Sequence, residues 1–164
     1  MIAIEPVADG TQLRRAFGCF PSGVTALCTL VDGQPVGMAA SSFTSVSLDP
    51  PLVAVCINRT STTWPLLRPC RRVGLSVLAE GQGDACRTLA SSRPDRFAGT
   101  DWYARPEGSV FVHGSTAWLD CSVFDEVLAG DHVVVLLEIH GVGADPDIPP
   151  LVFHGSAFRR LARV

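Results

Sequence analysis

Lysine is missing from all 164 residues; the thirteen basic side chains are arginine. That excludes Schiff-base chemistry, pyridoxal phosphate anchored as an aldimine and a Walker A loop with its phosphate-reaching lysine. Any anion held by a side-chain cation must be held by arginine, or else by main-chain N–H groups. A basic excess is also missing. Sixteen acidic residues against thirteen basic ones give a net charge of −3, and the pI is ≈ 5.7, which is no footprint for a nucleic-acid partner. No apolar run approaches the ~20 residues of a membrane span, so no membrane partner is expected. No GxGxxG and no βαβ alternation is present, which argues against a dinucleotide-binding Rossmann domain.

Cysteine occurs six times, at Cys19, Cys28, Cys56, Cys70, Cys86 and Cys121. None forms a CxxC pair or a zinc-type spacing. Cys28, Cys56 and Cys121 lie in apolar runs, where a free thiol is expected buried and inert. With no signal peptide, the chain reads as reduced and cytoplasmic. His113, His140 and His154 are scattered without a carboxylate at ligand spacing, so no metal is expected.

What is present is a core. Hydrophobic residues make up 47% and charged residues 18%, and mean hydropathy is +0.29. This composition suits one folded domain with apolar surface left over. Residues 1–10 read as an N-terminal extension and residues 11–164 as the domain.

The periodicity predicts an amphipathic helix over Thr11–Phe20, with Leu13, Ala16, Phe17 and Phe20 on one side and Asp9 or Thr11 as cap. Asp32-Gly33 between the runs Gly23–Val31 and Gln34–Ser42 predicts a hairpin. Leu52–Ile57 is apolar on both faces, hence a buried strand, and Arg72–Ala79 is another. Short helices are expected over Thr62–Arg68, with Pro65 in its first turn, and over Gly83–Ser92. Three further strands follow: Ser115–Leu128, Asp131–Val142 (turning at Gly130-Asp131) and Leu151–Leu161. About seven antiparallel strands with two or three short helices favour a closed or nearly closed barrel, which removes exposed edges.

Two hydroxyl-rich segments then stand out. Small residues from Gly37 to Ser42 leave room for a flat group against the backbone, and hydroxyls follow at Ser42, Thr44 and Ser45. The second segment is Asn58-Arg59-Thr60-Ser61-Thr62-Thr63. Together they form a phosphate cradle without lysine, or alternatively a set of polar turns and helix caps. His132, after Gly-Asp at the start of an apolar strand, is either a turn histidine bonded to backbone or a site residue at the barrel rim.

Six segments occur in order: Phe20-Pro21-Ser22-Gly23-Val24-Thr25, SSFTSVSLDPPLV at 41–53, Asn58–Thr63, Arg96-Phe97-Ala98-Gly99, Gly130-Asp131-His132 and Pro150-Leu151-Val152-Phe153. Over roughly residues 11–161 the chain resembles the short-chain flavin reductases of two-component flavin-dependent monooxygenases. The resemblance implies a mainly β fold, an FMN-binding split β-barrel, antiparallel and Greek-key-like, with a few short flanking helices. It also implies a homodimer that binds FMN or FAD, oxidises NADH or NADPH, and passes reduced flavin by diffusion to a monooxygenase partner. Carried across by position, Met38, Ala39, Ala40, Ser41, Ser42, Phe43, Thr44 and Ser45 would line the flavin ring and begin the phosphate site. Cys56, Ile57 and Asn58 would follow ring and ribityl chain, Ser61 and Thr63 would hold the phosphate, and Arg96 with Phe97 would complete that end. His132 would lie beside the nicotinamide as the catalytic residue, with Asp131 fixing its turn. Ser22 stands where relatives commonly have Thr, and Phe158 where Tyr is usual. Competing functions on the same barrel are a flavin carrier without catalysis and an FMN-dependent oxidase of a small substrate.

Overall fold

A computed structural model describes residues 4–162. The elements, in chain order, are α1 (Gly10–Phe17), β1 (Ser22–Gly23), β2 (Thr25–Val31), β3 (Gln34–Ala40), β4 (Thr44–Leu48), β5 (Pro51–Asn58), α2 (Trp64–Leu67) and β6 (Val73–Val77). Then come α3 (Gly83–Ala90), β7 (Trp102–Ala104), β8 (Val110–Val112), β9 (Ala117–Ala129), β10 (His132–Ala144), β11 (Val152–His154) and β12 (Ala157–Arg159).

Seven strands form one antiparallel sheet in the order β3-β2-β6-β9-β10-β5-β4. Its two edges, β3 and β4, are consecutive in the chain and joined by only residues 41–43. A link that short reaches across only if the sheet curls until its edges meet, so connectivity itself dictates the barrel. The fold is therefore mainly β and antiparallel, as expected.

Alternation along the strands sorts side chains onto two cores. Leu27, Val55, Ile57, Leu75, Val135 and Leu137 belong to the barrel interior, where Trp64 and Leu67 of α2 join them. Val24, Ala26, Cys28, Leu78, Leu89 and Val110 form a second cluster. Strand β2 serves both, so its run from Thr25 to Thr29 is buried throughout. Its hairpin with β3 turns on Asp32 and Gly33, with φ of 51° and 76°, the left-handed pair a tight two-residue turn requires.

Several expectations shift. Helix α1 is capped by the Asp9 side chain on the Thr11 and Gln12 amides, and ends at Phe17 instead of Phe20. The extension boundary at residue 10 falls on its first residue, and the outermost positions, 1–3 and 163–164, lie outside the described residues. None of the residues of α1 is buried, so its apolar side joins neither core cluster among the described residues. Strand β4 replaces part of the expected hydroxyl loop. Four of its five residues are exposed, which deprives it of an apolar alternation. The β7–β8 hairpin was unforeseen, being two three-residue strands. The expected closing strand 151–161 is a hairpin, broken by positive φ at Gly155 and Ser156.

Cys28 and Cys121 are buried as expected, and burial pushes both thiols up to about 12. Cys56 departs: it is exposed, because the alternation that sends Val55 and Ile57 inward turns residue 56 outward. No helix among the described residues is long and apolar enough to cross a membrane.

Candidate active site

The seam of the barrel organises the site. Ser42 sits midway between the two edge strands, and its Oγ accepts from the Cys56 amide at 2.8 Å while donating to the Cys56 carbonyl at 3.0 Å. One hydroxyl thus pins the seam to β5 and has spent its proton doing so. Met38, Ala40 and Phe43 pack against the barrel core, and Ala39 against the second cluster. Within the 38–45 segment, the exposed side chains are Ser41, Thr44 and Ser45. The segment therefore offers a ligand mostly main chain.

On β5, Ile57 faces the core while Cys56 and Asn58 are exposed. Asn58 Oδ1 accepts from the Thr60 amide at 2.8 Å and from its hydroxyl at 2.7 Å, which bends the chain out of the strand. His132 is registered directly opposite Asn58, so the two share a face at the barrel rim. His132 Nδ1 lies 2.7 Å from Asp131 Oδ1. An ionised carboxylate only accepts, so the ring nitrogen facing it, Nδ1, carries a proton, and in the neutral form of the ring Nε2 keeps its lone pair free.

The bond to His132, followed by the attraction of its charge, holds the fully exposed Asp131 carboxyl below its ordinary value of 3.8. A lowered carboxyl favours the bonded state above 3.8 and releases it as pH falls through the lower folded value. The pair should therefore persist through neutral pH and part only below 3.8. Imidazole nitrogen shifts, followed by NMR against pH, should carry the carboxyl transition; its absence in Asp131→Asn would identify it.

The phosphate-type residues converge away from the seam, beside the first half of β3. Arg96 Nη1 donates to Thr63 Oγ1 at 2.6 Å and reaches the Gly37 carbonyl at 3.5 Å. These residues line a cleft of about 550 Å³, whose other walls include Gln34, Pro35, Leu66 and Phe97. Phe97 is a buried wall, set edge-on to Trp102 at 6.2 Å. Gly37 is required at this point: a Cβ there would come within 2.6 Å of Cys28 Sγ and 3.1 Å of the Phe97 ring. Ser61 Oγ accepts from the Trp64 amide at 3.1 Å, holding the loop against α2. The α2 segment is tethered in turn by Glu126, whose two oxygens take Trp64 Nε1 and Arg68 Nε, each at 2.7 Å.

The structure thus brings Thr63, Arg96 and Phe97 together around one cleft, with Ser61 two residues away. It brings Ser42, Cys56, Asn58 and His132 together along adjoining strand ends. A second cleft of about 290 Å³ was not foreseen as a unit. Ala39, Ala40 and Ser41 form one wall, and Arg87, Phe153 and Phe158 contribute to the others. The Arg87 guanidinium lies 5.0 Å from the Phe158 ring centre. The aromatics at 153 and 158 were the available signal, but nothing in the spacing brings α3 to them. Among the described residues no group of three or more His, Cys, Asp or Glu is arranged to hold a metal.

Comparison with known proteins places the chain in a family. The family profile described as "Flavin reductase like domain" matches residues 17–162. The reductase subunit HsaB of a flavin-dependent monooxygenase from Rhodococcus jostii is 38% identical over 157 residues, covering 96% of this chain and 80% of that protein. An NADH-dependent FAD reductase from Streptomyces globisporus is 40% identical over 159 residues, covering 94% of this chain and 87% of its own. The solved structure of the S. globisporus NADH:FAD oxidoreductase SgcE6, in complex with NAD and FAD fragments, superposes with a TM-score of 0.89 at 38% identity, covering 97% of this chain and 98% of that one. Fold and sequence agree: the chain belongs to the flavin reductase-like domain family.

Proposed function

We propose that this chain is a nicotinamide-dependent flavin reductase that supplies reduced flavin to a partner monooxygenase by diffusion. The observation that carries the reading is the state of two hydroxyls, that of Thr63 bonded to Arg96 and that of Ser61 two residues before it. Thr63 and Ser61 each accept a hydrogen bond, from Arg96 and from the Trp64 amide, so each keeps its own proton to donate. Two free O–H donors and the remaining N–H groups of a guanidinium suit a phosphate ester. The residues present therefore fit a flavin nucleotide, whose ring, when bound, accepts a hydride from a dihydronicotinamide.

The chain's own contribution is to hold and orient. Thr63, Ser61 and Arg96 secure the phosphate end. Residues 41–43, lying between strand ladders and fixed by Ser42, would offer their main-chain amides to the ring. Ser42 itself acts through that clasp, since its proton is already committed to Cys56. Cys56 and Asn58 lie along the exposed face of β5. His132, held in one tautomer by Asp131, offers Nε2 as acceptor for the nicotinamide carboxamide. No side-chain nucleophile or base is required. NADH and FAD are the favoured pair, on the similarity to the S. globisporus reductase.

A homodimer completes the reading. Phe17 and Phe20 are 67% and 78% exposed, and Leu48 and Leu128 are 96% and 74% exposed. These uncovered apolar side chains are the surface a second copy of the chain would bury. Size-exclusion chromatography with light scattering should give twice the chain mass, and a monomer would contradict this part. The six unpaired cysteines fit a reducing cytoplasm. Aerobic consumption of reduced nicotinamide tests the function: it should be rapid only when free flavin is added. Consumption driven by a small amine or alcohol without nicotinamide would favour the oxidase instead.

A further inference from the structure

Reduction brings two phosphate-bearing molecules to one site, and a chain without lysine must meet both with arginine or main chain. Arg96 faces the cleft and is bonded to Thr63 there. The residue that follows Asn58 in the chain is Arg59, which is exposed and in no ion pair among the described residues. Its amide donates to the Asp131 carbonyl at 3.0 Å, and its Nη1 reaches the Gly130 carbonyl at 3.4 Å. The guanidinium is thus laid across the turn that presents His132, with its other N–H groups uncommitted. The neighbouring Asp131 carboxylate is engaged by His132 Nδ1.

We propose that Arg59 binds the diphosphate of the nicotinamide dinucleotide, leaving Arg96 to the flavin phosphate. The proposal rests on the reductase reading above. It follows from position: the cation is fixed to the turn that carries His132, not to the cleft that carries Thr63. An anchored guanidinium with free N–H groups forks onto neighbouring phosphate oxygens at little ordering cost.

The test compares Arg59→Gln and Arg59→Lys with the unchanged protein, using NADH and 1-benzyl-1,4-dihydronicotinamide, which carries the same ring and no phosphate. Arg59→Gln should lower kcat/KM for NADH about 10- to 30-fold, the loss expected for a charge-assisted contact. The benzyl compound and the KM for FAD should change less than about twofold on the same grounds. Arg59→Lys should recover part of the loss. ADP-ribose, which has the diphosphate but no nicotinamide, should inhibit competitively with NADH and weaken about 10-fold in Arg59→Gln. A parallel loss with the benzyl compound would mean that Arg59 only supports the turn, and a rise in the FAD KM would assign it to the flavin; either overturns the proposal, as would no change. An unchanged protein that oxidises neither donor would instead overturn the reductase reading.

Discussion

Arg96→Gln should raise the KM for FMN and FAD by about 10- to 100-fold while leaving riboflavin within about twofold, because the loss is that of a charge-assisted contact to phosphate. The basis is the Arg96 Nη1 bond to Thr63 Oγ1 at 2.6 Å. That bond occupies a lone pair on the hydroxyl and so directs its proton toward a ligand. Removing the guanidinium takes away both the cation and the orientation of Thr63. Riboflavin has no phosphate and supplies the internal control. Arg96→Lys should fall between, since an ammonium keeps the charge but not the fork. Steady-state kinetics with the three flavins reads the result. An equal loss for riboflavin would mean that Arg96 merely holds the cleft wall against the Gly37 carbonyl.

Gly74→Ala should be the most destabilising single methyl addition in the barrel. Gly74 lies on β6 between β2 and β9, paired with Cys28 and Asp120. A Cβ at this position would meet the Val110 carbonyl oxygen, with the carbonyl carbon at 2.8 Å and the Val110 nitrogen at 3.0 Å. These are main-chain atoms of a fully buried residue, so no side chain can swing aside. Overpacking ordinarily costs 1–3 kcal/mol, and this case belongs at about 3 kcal/mol or above. For a domain this size that lowers Tm by about 6–12 °C. A thermal melt checks it. A Tm within about 2 °C of the parent would correspond to less than about 1 kcal/mol and would mean that the β7–β8 hairpin rides freely over the sheet.

The elements legible in the sequence are those whose signal is local. Asp32-Gly33 states its own turn, and the apolar runs of β2, β5, β9 and β10 state their strands. Strand β4 was hidden because its side chains are mostly exposed, and the closing hairpin because apolar residues continue on both sides of Gly155. In the candidate site, the SSFTSVSLDPPLV and GDH segments pointed to strand ends that the structure sets beside β5, Ser42 on Cys56 and His132 opposite Asn58, but sequence could not assign each side chain its task. Ser42 reads as a free hydroxyl until its partner, Cys56, is placed beside it from another strand. Cys56 reads as core until the phase of β5 is known. The cleft joining Gln34 and Pro35 to Arg93–Phe97 exists only in three dimensions, since nothing local links residues so far apart.

The most direct measurement is anaerobic. A trace of the protein is mixed with excess FAD and a matching amount of NADH, with no oxygenase present, and the flavin absorbance is followed. The reductase account predicts that all the FAD is bleached, one for each NADH consumed, because reduced flavin leaves and the protein turns over. Bleaching that stops near one flavin per chain would contradict release of reduced flavin. No bleaching would contradict hydride transfer itself and return the barrel to a carrier.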